Sequence, residues 1–285
     1  MEPSEAGKRK KAEDEINGGD PAAAPKRPTT SLMPGLDARR IFLRDGAAGD
    51  TSAGTAALDF SKRAAAARPG PAELLTLAAK VRSGDLTSLN LANNDLSTEA
   101  ALALARALGE PSCALVSLGV RGNWSTMDDD DPEEPAVGVA LAAALGSSRS
   151  LTELDAGGNN LWGREVGAAF ADALRPGCSL VALDLQGCAI GDSGCAALTA
   201  ALKAGSGLTS LSIGWNQLGT GASTALAEAL VSPACQLRRL GHWRNNLREA
   251  GGKAIAAALT SPHCHLVSLI LGLTTRHKID VNGHF

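Results

Sequence analysis

Short bursts of alternating apolar and polar residues recur along this chain. From Leu86 the sequence reads LTSLNLANNDL, from Leu115 LVSLGVRGNWS and from Leu151 LTELDAGGNNL. From Leu180 it reads LVALDLQGCAI, from Leu208 LTSLSIGWNQL and from Leu237 LRRLGHWRNNL. A seventh copy from Leu266, LVSLILGLTTR, keeps the first half of the pattern. The starts are 29, 36, 29, 28, 29 and 29 residues apart. Apolar residues on alternate positions predict a short strand with one buried face in each copy. Between the bursts run Ala-rich segments such as EAALALARAL, AVGVALAAAL, EVGAAFADAL and GASTALAEAL. Ala is the best helix former, and its small side chain lets neighbouring helices lie close together. A strand-plus-helix unit of this size buries its apolar face only against its neighbours. The predicted fold is therefore an α/β solenoid, with parallel strands on the concave face and helices on the convex face.

Each block fits L-x-x-L-x-L-x-x-N/C-x-L, the leucine-rich repeat pattern. The Asn column comprises Asn94, Asn123, Asn159, Asn216 and Asn245, with Cys188 replacing Asn once. An amide both donates and accepts, so at a turn it can satisfy backbone groups of adjoining coils. With its repeat length of 28–29 and a full helix per unit, the chain resembles the ribonuclease-inhibitor-like class of leucine-rich repeats. That class includes ribonuclease inhibitor, the C-terminal arrays of NOD-like receptors, the GTPase activator of Ran and tropomodulin. The resemblance covers about residues 71–271 and implies a horseshoe array. It implies no single function, because many functions have been placed on this surface.

The ends depart from the repeat. Residues 1–56 lack periodicity and read as a disordered tail. Residues 57–85 read as an N-terminal capping half-repeat, its helix carried by PAELLTLAAKVRS at 71–83. The repeats occupy 86–271 and a polar tail 272–285, so the last strand needs that tail or a partner to cover its edge. Lys8-Arg9-Lys10-Lys11 and Pro25-Lys26-Arg27 resemble a bipartite nuclear import signal. With no apolar run of transmembrane or secretory type, a cytoplasmic chain with nuclear entry through those clusters is expected. The net charge of −3 gives no reason to expect nucleic acid or a membrane as the main partner.

Candidate chemistry is sparse. The sequence contains no G-x-x-x-x-G-K-[ST], H-E-x-x-H or G-x-S-x-G motif, so neither a cofactor nor a small-molecule substrate is expected. Six cysteines are expected as thiols, four of them (Cys113, Cys178, Cys235 and Cys264) two residues before a repeat start. A line along the array cannot surround one metal ion, so packing is their expected role. His263 and His265 flank Cys264 as a loop variation. His242 takes an inward strand position and is expected as a neutral core histidine. The acidic insert Asp128–Glu134 accounts for the long second spacing and reads as a solvated loop.

Residues between the strand leucines point outward along the concave face. Its middle is acidic through Glu153, Asp155 and Asp184. Its C-terminal third carries Arg239, Arg244, Trp215 and Trp243, the tryptophans at corresponding edge positions of adjacent repeats. Trp and Arg dominate interface hot spots. These seven residues are the expected contacts of a protein partner of unknown identity, on a non-catalytic interaction scaffold. A GTPase-activating regulator resembling the Ran activator and a structural subunit of a larger assembly are the rival readings. For the former, Arg121, Arg164 and Arg248 lie near loops, where surface solvation is the simpler expectation.

Overall fold

The computed structural model describes residues 56–61, 68–124, 134–159 and 164–272, all within one compact unit, Ala38–Phe285. The basic clusters at Lys8–Lys11 and Lys26–Arg27, the insert residues Asp128–Glu133 and the tail from 273 lie outside the described residues. Eight strands are described: β1 (Ala56–Asp59), β2 (Leu86–Asn90), β3 (Ser117–Gly119), β4 (Glu153–Asp155), β5 (Ala182–Asp184), β6 (Ser210–Ser212), β7 (Arg239–Gly241) and β8 (Ser268–Ile270). Seven helices alternate with them: α1 (Pro71–Ser83), α2 (Thr98–Leu108), α3 (Glu134–Ser147), α4 (Arg164–Ala173), α5 (Gly191–Lys203), α6 (Thr220–Leu230) and α7 (Arg248–Leu259). The strands form one sheet in sequence order, every pair parallel. This is the α/β solenoid that the repeat predicts.

Register is set by one leucine per strand. Leu58, Leu89, Leu118, Leu154, Leu183, Leu211, Leu240 and Leu269 are successive Cα partners across the sheet. The seven from Leu89 onward are buried. The repeat-start leucines, the inward residue after each strand and the helical leucines close around this row as one continuous core. A fully buried leucine contributes about 1.5–3 kcal/mol, so a slip of register would cost several kcal/mol per coil. Strand β1 is an element that the periodicity did not announce. Its AALD segment has the stacked leucine but lacks the flanking leucines of a full copy. It pairs with β2, and Phe60 is buried just beyond it.

The Asn column solves the backbone problem at each turn. Asn216 Oδ1 accepts from the backbone N–H of Cys188 at 3.0 Å and of Ile190 at 3.2 Å, one coil earlier. Its Nδ2 donates to the carbonyls of Leu185 and Gly214. Asn159 does the same for Asn123 and Trp124, and Asn245 for Asn216 and Leu218. Cys188 keeps the donor half of this role: its thiol reaches the Ala156 carbonyl at 3.2 Å. Burial pushes that thiol up to about 12. Asn123 begins an N-x-S sequence, but its amide is buried within this ladder.

His242 replaces an aliphatic residue in the core. It is 2% exposed, with Nε2 3.4 Å from the Ser223 hydroxyl. All six cysteines are free thiols, with Cys113, Cys188, Cys195 and Cys235 buried and Cys178 and Cys264 half-buried. Burial also raises Cys195 to about 12, which suits packing better than reactivity.

Two predictions follow from the core. Asn216→Ala removes four hydrogen bonds and leaves buried backbone groups unsatisfied. It should cost about 3 kcal/mol or more in a urea melt, since each orphaned group costs about 1–3 kcal/mol. The second concerns pH. Burial lowers His242 from the usual 6.5 to about 4. The unfolded chain therefore takes up a proton before the folded chain does, and stability falls as pH drops from about 6.5 to about 4. His242→Leu should remove about 3 kcal/mol of that acid sensitivity, read as the difference between melts at the two ends of this window.

Candidate functional site

The concave rim is ordered by two columns that follow each strand. Counted from the stacked leucine, the third residue is Ala92, Arg121, Gly157, Gln186, Gly214 or Trp243. The fourth is Asn93, Gly122, Gly158, Gly187, Trp215 or Arg244. The fourth residue is left-handed in every one of these turns, with φ between 55° and 66°. Its N–H donates to the carbonyl of the third residue in the following turn, as in Gly187 to Gly214, Trp215 to Trp243 and Arg244 to Gly272. Residues other than glycine pay about 1 kcal/mol for this conformation, which explains the glycines. Trp215 and Arg244 occupy it nonetheless.

The register corrects one expectation. Trp215 and Trp243 are not at corresponding positions: Trp215 aligns with Arg244, and Trp243 aligns with Gly214. The offset brings the three side chains together. The two indole rings meet edge to face, with centroids 6.1 Å apart and planes at 89°. The Arg244 guanidinium carbon lies 4.5 Å from the Trp215 ring centroid. Trp243 is half-buried and fills the space that Gly214 leaves, since a Cβ there would come within 2.6 Å of its Nε1. Trp243 is thus the seat of the cluster. Trp215, 39% exposed, and Arg244 are its outward surface. Arg239 is half-buried in β7.

The acidic middle differs from an open anionic patch. Asp155 and Asp184 are Cα partners on adjacent strands, so two carboxylates face each other. Arg121 reaches across from the β3 turn to neutralise both. Its Nε donates to Asp155 at 2.9 Å, a terminal nitrogen lies 2.8 Å from the other Asp155 oxygen, and the same nitrogen pairs with Asp184. Gly157 makes room, because a Cβ there would collide with the guanidinium. Arg121 is 8% exposed, which overturns the expectation of a solvated surface arginine. Burial works against its charge, but Asp184 and Asp155 outweigh that and hold it above its usual range. Burial likewise lifts Asp184 to about 6 against the pull of Arg121. Asp184 also accepts from the Gln186 N–H at 2.8 Å.

Of the three acids, only Glu153 is not held by Arg121. It is half-buried, and burial raises its carboxyl while a hydrogen bond from Ser117 and the charge of Arg239 pull it down. Arg248 is exposed at the start of α7, and the Arg164 side chain lies outside the described residues. Among the described residues, no group of three His, Cys, Asp or Glu is placed to hold a metal ion.

Removing the guanidinium would leave two facing carboxylates partly or fully buried. Arg121→Leu should destabilise the chain by about 3–5 kcal/mol at neutral pH. Adding Asp184→Asn to that variant should recover part of the loss, measured by urea unfolding.

The sequence matches the Leucine Rich repeat family model at residues 85–105 and 178–198, each match spanning a strand and the start of its helix. Over 163 residues the chain is 34% identical to NACHT, LRR and PYD domains-containing protein 14 of Mus musculus, covering 57% of this chain and 16% of that protein. Over 155 residues it is 33% identical to the ribonuclease inhibitor of Sus scrofa, covering 54% of this chain and 32% of the inhibitor. The chain therefore spans less than a third of the length of either relative. Among solved structures, Leiomodin-1 Actin-Binding Site 2 aligns with a TM-score of 0.39 at 17% identity, covering 67% of this chain and 89% of that one. The chain thus carries leucine-rich repeats and is similar, over part of their length, to the ribonuclease inhibitor and to the NACHT, LRR and PYD domains-containing proteins.

Proposed function

We propose that this chain is a non-catalytic scaffold that binds a partner protein on its concave sheet face, with Trp215 and Arg244 as the principal contacts. One observation carries this reading. At a turn position where three neighbouring repeats place glycine, Trp215 and Arg244 accept a left-handed backbone and present an aromatic–cation pair outward. A large ring in that place does nothing for the leucine core. It is braced from below by Trp243, so little side-chain freedom remains to be lost on binding. Trp and Arg in such settings supply most of the energy of protein interfaces. The similarity to ribonuclease inhibitor supports a binding role over a catalytic one.

Trp215→Gly separates the two uses of this residue. Glycine relieves the left-handed backbone while losing the ring contacts, so the two effects on stability nearly cancel. The melting temperature should stay within about 4 °C, the equivalent of about 1 kcal/mol. Binding of a partner recovered by proximity labelling should weaken by about 30-fold or more, the loss typical of a hot-spot residue. Full retention of the partner by this variant would show that the surface lies elsewhere.

A further inference from the structure

We infer that the Arg–Trp cluster between β6 and β8 is a carboxylate receptor, which takes Asp or Glu side chains from an acidic segment of a partner protein. The inference rests on the proposed partner surface and adds its chemistry.

The first support is the distribution of charge. Residues 205–272 contain two acidic residues, Glu228 and Glu249, against Arg238, Arg239, Arg244, Arg248 and Lys253. Both acids are spoken for by lysines: Glu228 lies 2.8 Å from Lys203, and Glu249 lies 2.6 Å from Lys253. Both belong to helices on the convex side. The concave positions of β6 to β8 are Ser210, Ser212, Arg239, Gly241, Ser268 and Ile270, none of them a carboxylate. Arg244 is therefore exposed with no carboxylate of the described residues paired to it, whereas Arg121 in the middle has two.

The second support is geometric. The Arg244 guanidinium stacks on Trp215, 4.5 Å from the ring centroid. A stacked guanidinium keeps its N–H edges free to fork onto a carboxylate, and the ring holds the fork in place before the ligand arrives. Ser268, half-buried on β8, offers a hydroxyl donor on an adjoining strand, whereas Ser210 and Ser212 are buried and Ser212 already serves Asp184.

The same geometry disfavours nucleic acid. Arg244 covers a face of Trp215 and the Trp243 contact occupies another part of it, which obstructs base stacking on that ring. A long polyanion running along the concave face would also meet Glu153, the one acid there that Arg121 does not neutralise. A short acidic protein segment meets only the positive end.

The test measures fluorescence anisotropy of a labelled Asp/Glu-rich peptide with the full chain. Its controls are the matching Asn/Gln peptide and a single-stranded oligonucleotide. The acidic peptide should bind in a salt-sensitive manner and the amide peptide should not. Arg244→Gln should weaken binding by about 10-fold or more, the worth of a charged hydrogen bond, with melting unchanged. Arg244→Lys should fail to restore it, because lysine keeps the charge and loses the fork. Equal binding of the acidic and amide peptides would overturn the inference, as would wild-type affinity in Arg244→Lys. Tighter binding of the oligonucleotide, lost in Arg244→Gln, would overturn it in favour of nucleic acid. Self-association lost in Arg244→Gln would overturn the separate partner in favour of a second copy, whose Asp128–Glu134 run carries the same chemistry. If the acidic peptide fails to bind while Trp215→Gly still releases a recovered partner, the partner surface stands and its acidic chemistry falls.

Discussion

Six of the eight strands are three residues long, too short for a sheet to hold by ladder bonds alone. The structure depends on what happens at the end of each strand, where the backbone turns through the interior and its polar groups lose water. One buried amide per coil satisfies those groups, and it does so across coils: Asn216 ties the Cys188 and Ile190 N–H groups to the carbonyls of Leu185 and Gly214. The leucine row supplies the bulk of the burial but cannot fix orientation by itself. The amide column converts a greasy stack into a stack with a defined pitch, because each link has direction as well as strength. At Cys188 a thiol supplies the donor, so the column tolerates a weaker member where its neighbours are intact.

Much of the molecule was legible because it is written repeatedly. The strand leucines, the amide column and the helices repeat at a fixed spacing, and a fixed spacing in a solenoid is a spatial neighbourhood. Strand β1 was missed because it offers a single register leucine, Leu58, with no amide after it. The buried Arg121 group was missed for a different reason. Its carboxylate partners lie 34 and 63 residues away, and the pairing is set by side-chain reach over Gly157 rather than by any repeated residue type. Counting charges along the concave face gives an acidic patch there; the geometry gives two carboxylates shared by one guanidinium. The Trp215–Arg244 pair was half legible. The residue types drew notice, but the stronger signal was the column, where glycine stands at 122, 158 and 187 and then gives way.

The two arginine sites on this face show how little composition decides. Arg121 and Arg244 occur one residue apart in the repeat frame, the third and fourth residues after their leucines. That single step changes which way the side chain leaves the turn. Arg121 lies along the sheet over a glycine and is buried between Asp155 and Asp184. Arg244 leaves from a left-handed residue and stacks on an exposed ring. A buried charge that loses its partners is severely destabilising, so Arg121 is bound to the carboxylates it already has. An exposed, stacked guanidinium can gain a carboxylate without surrendering another. The repeat frame thus separates an arginine that holds the array together from one that is available to something outside it, and it does so through backbone geometry rather than charge.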